Sequence, residues 1–181
     1  MYAYSSTQVY GPHIAVLYAS NSAQEYVKPL AHFFNPTKTL EDKLGFAASN
    51  YEGVQAVPEI VKYLEGSDEV ITEHEGRLQK ILLDFLNSRD DITVIGTKSA
   101  DSKERVPTIS FVVDGISPKQ IVVEAEKISN YGFRWGHFYS KRLCDEVLQL
   151  GPEGVTRVSM VHYNTEDEIH GLVDVLKKVL P

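Results

Sequence analysis

Between Val70 and Phe85 the apolar side chains fall three and four residues apart, at Val70, Leu78, Ile81, Leu82 and Phe85, with His74 in step. That period predicts one long helix with a continuous stripe turned toward a core. A shorter helix is predicted before it, from Tyr51 to Leu64, where Val54, Val57, Val61 and Leu64 recur at helical spacing. Pro58 either starts its regular part or bends it. Beyond the long helix, strands and helices alternate. "ITVIG" and "VPTISFVVDG" are rich in β-branched residues and close on turn formers, which predicts two strands. "SPKQIVVEAEKI" follows as a helix, with Ser117 placed to accept from the first turn, Pro118 at the first helical position and Gln120 in place to close a capping box.

"YGFRW" is a short strand candidate, residues 138–149 a helix running up to Gly151-Pro152, and "GVTRVSMVHY" another strand. The closing "NTEDEIHGLVDVLKKVL" opens on a second capping box, Thr165 with Glu168, and buries Ile169, Leu172, Val173, Leu176 and Leu180. Its acidic start and Lys177-Lys178 near its end suit the helix dipole. The second half of the chain thus reads as a complete α+β sandwich, a sheet covered by helices. The first half is less self-sufficient. Ile14 to Ala19 reads as a buried strand after the Gly11-Pro12 turn, residues 22–31 as a short helix, and "HFFNPTKTLEDKLGFAASN" as an ordered loop linking two structural pieces.

A chain of 181 residues holds one domain, or one small domain with a piece of another attached. Its net charge of −7, with no basic cluster, argues against a nucleic-acid partner. The single cysteine, Cys144, excludes an internal disulfide framework and a Cys-rich metal site, and suits a reducing compartment. His137 and His162 belong to no set with ligand spacing, so no metal site is expected. No uninterrupted apolar run of about 18 residues and no basic leader is present, so no membrane span is expected and a soluble, cytoplasmic protein is the natural reading.

Three segments, "YSSTQVYGPHIAVLY", "LGFAASNYEGVQAVPEIVKYL" and "RWGHFYSKRLCDEVLQLGPEGVTRVSMVHYNTEDEI", together resemble the C-terminal half of the class V aminotransferases, in their cysteine desulfurase-like branch. The resemblance covers essentially the whole chain. It implies a fold of mixed α+β and α/β character, with residues 1–48 as a remnant of the large domain plus linker and residues 49–181 as the small α+β domain. It also implies pyridoxal phosphate as the family's cofactor and amino acids as the substrate class.

The site residues implied by the resemblance are altered in several places. The family's first segment reads roughly Ser-x-x-Lys-x-x-Gly-Pro, and its lysine forms an imine with the cofactor; Gln8 stands there, and a carboxamide cannot form one. Thr7 replaces the histidine common before that lysine. In the second segment Ala48 stands where a threonine hydroxyl helps hold the cofactor phosphate, so that bond is lost unless Ser49 substitutes after a register shift, while Asn50 and Glu52 match. In the third, Tyr139 stands at the position of the nucleophilic cysteine, and Cys144, five residues on, is no replacement for a thiolate able to reach substrate sulfur. Arg157 matches the arginine that grips the substrate's α-carboxylate, for which a guanidinium fork is suited. His13 follows Gly-Pro as in this branch and, with Asn50, is a candidate cofactor contact.

Each of these positions has a plainer reading. Gln8 is either a non-covalent cofactor contact or an inert exposed side chain near the terminus. Arg157 either binds a carboxylate or is a surface arginine, His13 is either a cofactor contact or structural, and Trp135 closes the small-domain core or stacks on a ligand with Arg134. The expectation is a class V aminotransferase or cysteine desulfurase-like protein, truncated and catalytically inactive on its own. The alternatives are a carboxylate-sensing or dimerisation module, or a subunit that completes an active site with a separate N-terminal half.

Overall fold

Strand β1, Tyr2–Ser5, and strand β2, Ala15–Tyr18, form an antiparallel hairpin with Tyr2 opposite Tyr18 and Ser5 opposite Ala15. The computed structural model describes residues 1–45 and 47–181; Phe46, within the second quoted segment, lies outside them. A single 3₁₀ turn, Ser6–Val9, follows β1. The buried Ser6 ties the connection together, since its N–H donates to the Ile14 carbonyl at 2.7 Å and its carbonyl accepts from Gly11 at 2.7 Å. Leu17 and Tyr18 are exposed and Val16 is half-buried, so the expected buried strand is instead one half of a two-stranded hairpin.

Helix α1, Asn21–Glu25, is capped by the Ser20 hydroxyl. It stops at Tyr26, shorter than the predicted 22–31 helix, with Pro29 ahead to prevent its continuation. The expected loop contains a short helix α2, Leu40–Leu44, with a capping box between Thr39 and Asp42. Helix α3, Tyr51–Leu64, accommodates Pro58 inside it. It belongs with the hairpin: a Cβ on Gly11 would meet Ile60 Cδ1 at 2.3 Å, and the Tyr10 and Tyr63 rings meet edge to face.

Two compact units result, Met1–Ser67 and Asp68–Pro181. The division falls after α3, whereas the sequence places a boundary at 48/49, because α3 packs on the turn that follows β1.

In the second unit, β3 (Ile92–Ile95), β4 (Thr108–Val113), β5 (Arg134–Gly136) and β6 (Val155–Ser159) make a four-stranded antiparallel sheet in the order β3-β4-β6-β5. Helices α4 (Asp68–Asn87), α5 (Pro118–Ile128) and α6 (Glu166–Val179) contribute to one core with it. Alternation along β4 sends Ile109, Phe111 and Val113 into that core, where they meet Leu78, Leu82 and Leu86 of α4 and Leu172 and Leu176 of α6. The stripe read along α4 faces the core from Leu78 onward, while Val70 is exposed. Ser117 caps α5 through Gln120 N–H at 3.2 Å, and the Thr165–Glu168 box caps α6. Trp135 packs against the same core.

Segment 138–149 departs from prediction. Phe138 and Tyr139 are both left-handed, with φ of 48° and 63°, and the chain turns helical only from Lys141. From Leu143 to Val147 it takes the wider π geometry, with Leu148 N–H donating five residues back to the Leu143 carbonyl at 2.9 Å. Gly136 (φ 137°) and Gly154 (φ 69°) make this possible, since a Cβ on Gly154 would lie 2.3 Å from the Gly136 carbonyl oxygen. No described helix is long and apolar enough to cross a membrane.

Candidate functional site

The face of the sheet opposite the three helices carries a cross-strand row of Ile95, Ser110, Arg157 and Arg134. Strand alternation puts Thr156 and Val158 in the core and turns Val155 and Arg157 outward. The turn 137–140 and the π-helical segment line a cavity of about 140 Å³ on this face together with Ser110, Val155 and Arg157. The buried Cys144 thiol is one of its walls.

Arg157 has an unusual environment for a guanidinium. Its Cζ lies 3.8 Å from the centre of the Phe138 ring. Its Nε is buried without a hydrogen-bond partner, and among the described residues the side chain has no ion pair. Its cross-strand neighbour Arg134 turns elsewhere, donating to Glu126 Oε1 at 3.2 Å and to the Phe133 carbonyl at 3.0 Å. His137 Nε2, on the same cavity, is also buried and makes no hydrogen bond, although Asp145 Oδ1 lies 3.9 Å away. Asp145 itself pairs with Lys141 at 2.6 Å. The arrangement offers an anionic ligand an unmatched N–H on Arg157, with His137 Nε2 unpaired on the same cavity.

Tyr139, at the position the resemblance gives to a nucleophilic cysteine, is fully exposed. It does not line the Arg157 cavity, in whose wall Cys144 is held. A wider depression of about 480 Å³ near Ser117, Gln149 and Pro152 is mainly apolar, and its one carboxylate, Glu153, accepts from Lys119 N–H at the start of α5. No cationic side chain is among its lining residues.

In the first unit, Gln8 is exposed on the 3₁₀ turn, and its Oε1 accepts from Ser5 N–H at 3.3 Å. Ser5 and Thr7 hydroxyls pair beside it at 2.8 Å. His13 is exposed in the connection to β2. Asn50 caps α3, its Oδ1 accepting from Gly53 N–H at 2.8 Å, and the absence of a side chain at the buried Gly53 leaves room for the Asn50 amide. Gln8, His13 and Asn50 therefore occupy three separate local structures, and Arg157 belongs to the second unit.

These residues do not fit a covalently held pyridoxal phosphate. The carboxamide of Gln8 has no amine lone pair to form an imine and is bonded to the backbone of its own turn. Ala48 offers no hydroxyl to a phosphate, and the Asn50 carbonyl oxygen is occupied by a helix cap.

Sequence reasoning missed Phe138 and His137 as neighbours of Arg157. The three lie on the strand ends and turn of one sheet face, and only the β5–β6 register brings them together.

The sequence model described as "Aminotransferase class-V" matches residues 1–172, and the chain belongs to this family. It is similar to the aminotransferase-like protein FGM3 of Gibberella zeae, with 46% identity over 99% of this chain and 46% of that protein. It is also similar to the cysteine desulfurase-like protein ustD of Aspergillus flavus, with 30% identity over 99% of this chain and 42% of that protein. The chain spans about half the length of these curated relatives. Among solved structures, a cysteine desulfurase from Thermococcus onnurineus NA1 shares the fold, with a TM-score of 0.80 and 20% identity over 98% of this chain and 46% of that one. The cysteine desulfurase CsdA of Escherichia coli does so with a TM-score of 0.77 and 22% identity over 98% of this chain and 45% of that one. Pyridoxal phosphate is the cofactor of the family.

Proposed function

We propose that this chain is a cysteine desulfurase-like member of the class V aminotransferases whose part in the family's chemistry lies on the substrate side, and that it is catalytically inactive on its own. The observation that carries this reading is position 8. A glutamine there cannot form the imine through which the family's cofactor withdraws electrons from an amino acid. The hydrogen bond from Ser5 N–H to Gln8 Oε1 supports a local structural role for the side chain. Tyr139 in place of a thiol argues further against sulfur transfer.

Arg157 supports retained recognition of an amino-acid carboxylate. It is a cation whose Nε is buried without a hydrogen-bond partner, beside a small cavity. That observation favours a second reading, in which the chain senses a carboxylate metabolite without transforming it. The two readings agree on the ligand and differ only in whether a partner chain supplies catalysis. Purified protein incubated with pyridoxal phosphate and the proteinogenic amino acids, and assayed for keto acid, ammonia and sulfide, is expected to give no product above the cofactor alone. Turnover that depends on the protein would overturn the inactive reading.

A further inference from the structure

The Phe138 ring lies against the Arg157 guanidinium on the cavity where the buried Nε edge would meet a carboxylate. We propose that Phe138 is a gate on Arg157, and that an amino-acid carboxylate pairs with Arg157 only when this ring has moved off it. The inference rests on the reading of Arg157 as the carboxylate contact.

Three observations carry it. First, the ring is 3.8 Å from Arg157 Cζ and is the guanidinium's one partner among the described residues. A cation on an aromatic face is stabilised by the ring, so a ligand that draws the guanidinium off that face must compete with the contact. Second, Arg157 Nε and His137 Nε2 are both buried and unpaired on one cavity of about 140 Å³. A buried N–H left without an acceptor is costly, and the Arg157 Nε–H gains a partner when an acceptor enters. The Nε edge of the guanidinium, which a bidentate carboxylate uses, is closed to solvent in this state.

Third, the gate stands on a backbone built to have an alternative. Phe138 and Tyr139 hold φ of 48° and 63°, left-handed values that side chains other than glycine adopt only when their surroundings impose them. Gly136, with φ of 137°, lies directly before this turn and has the conformational freedom of a hinge. Tyr139 at its tip is fully exposed, so nothing on the outer side of the turn opposes movement. Release of the turn relaxes two strained residues as the carboxylate replaces the ring.

The test is a titration of the full chain with L-alanine, read by the fluorescence of Trp135, the only tryptophan in the sequence, three residues before Phe138. Ethylamine, which lacks the carboxylate, is the control probe. Phe138→Ala is expected to bind L-alanine about five- to tenfold more tightly than wild type, the range set by loss of a competing cation–π contact. Phe138→Leu, which keeps bulk but removes the aromatic face, is expected to lie between the two and guards against misfolding of the alanine variant. Arg157→Leu is expected to abolish binding. Equal or weaker binding by both Phe138 variants, with wild-type binding that Arg157→Leu removes, would overturn the gate and leave the carboxylate reading intact. Binding that survives Arg157→Leu, or no binding by wild type and both Phe138 variants, would overturn both.

Discussion

Arg157 Cζ lies 3.8 Å from the centre of the Phe138 ring, and Phe138 reaches it from a left-handed backbone with φ of 48°. The cation is thereby held on the sheet face without a carboxylate counter-ion. A side chain that the family resemblance assigns to substrate is matched, in this chain, by an aromatic ring two residues past the end of β5.

The strain in that turn is measurable at its neighbour. Tyr139 is fully exposed with φ of 63°, so its side chain gains little from burial while its backbone carries the left-handed penalty. Tyr139→Gly is expected to stabilise the protein by about 0.5–1 kcal/mol, the relief of a 1–2 kcal/mol backbone cost less the added entropy of glycine when unfolded. Urea denaturation followed by Trp135 fluorescence checks this, and a loss of stability would show that the phenol has a contact that matters.

Gly154→Ala is expected to do the opposite. The new Cβ would fall 2.3 Å from the Gly136 carbonyl oxygen at a residue with φ of 69°. Backbone meets backbone there, so no side chain is available to give way. A loss of more than about 2 kcal/mol is expected from the clash and the left-handed penalty together, read from the same denaturation curves.

The start of α6 sets a pH dependence. Hydrogen bonds from Thr165 N–H at 2.8 Å and Asn164 Nδ2 at 3.4 Å hold the Glu168 carboxyl below its ordinary value of 4.5. A carboxyl lowered by folding contributes stability that is fully present above that ordinary value and is lost as pH falls through the lowered one. Glu168→Gln is expected to flatten the acid limb of the stability profile while changing little in its shape above neutral pH. Thr165→Ala removes the reciprocal bond to Glu168 N–H at 3.2 Å and is expected to cost about 0.5–2 kcal/mol at pH 7.

The first unit exposes Tyr26, Leu30, Phe33 and Phe34 within one short stretch. Apolar side chains so concentrated mark a surface that associates. Light scattering across a concentration series is expected to show self-association, and Leu30→Glu with Phe33→Glu is expected to reduce it. A wild-type protein that stays monomeric at every concentration would contradict this.

The second unit was legible in the sequence wherever local chemistry decides structure. The Ser117 cap, the Thr165–Glu168 box and the apolar stripe beginning at Leu78 are each set by residues within a turn or two of one another. Residues 138–149 were not legible, because three left-handed non-glycine residues, Phe138, Tyr139 and Gln149, and a π-helical turn answer to tertiary context rather than to propensity. Ile14 to Ala19 carries the composition of a buried strand, yet burial depends on what covers a strand, and Leu17 and Tyr18 are exposed. For the candidate site, the sequence identified Arg157 and the change at Gln8. It gave no sign of Phe138 over the guanidinium, which follows only from strand register and from Gly136 turning the chain.

The change at position 8 is tested most directly by titrating the purified chain with pyridoxal phosphate, reducing with borohydride, and locating any adduct by intact and peptide mass. The account predicts no saturable visible band and no stoichiometric adduct at any one lysine. A single lysine reduced to completion, with saturable absorbance before reduction, would contradict it and show that another amine in this chain has taken over the role that Gln8 lacks.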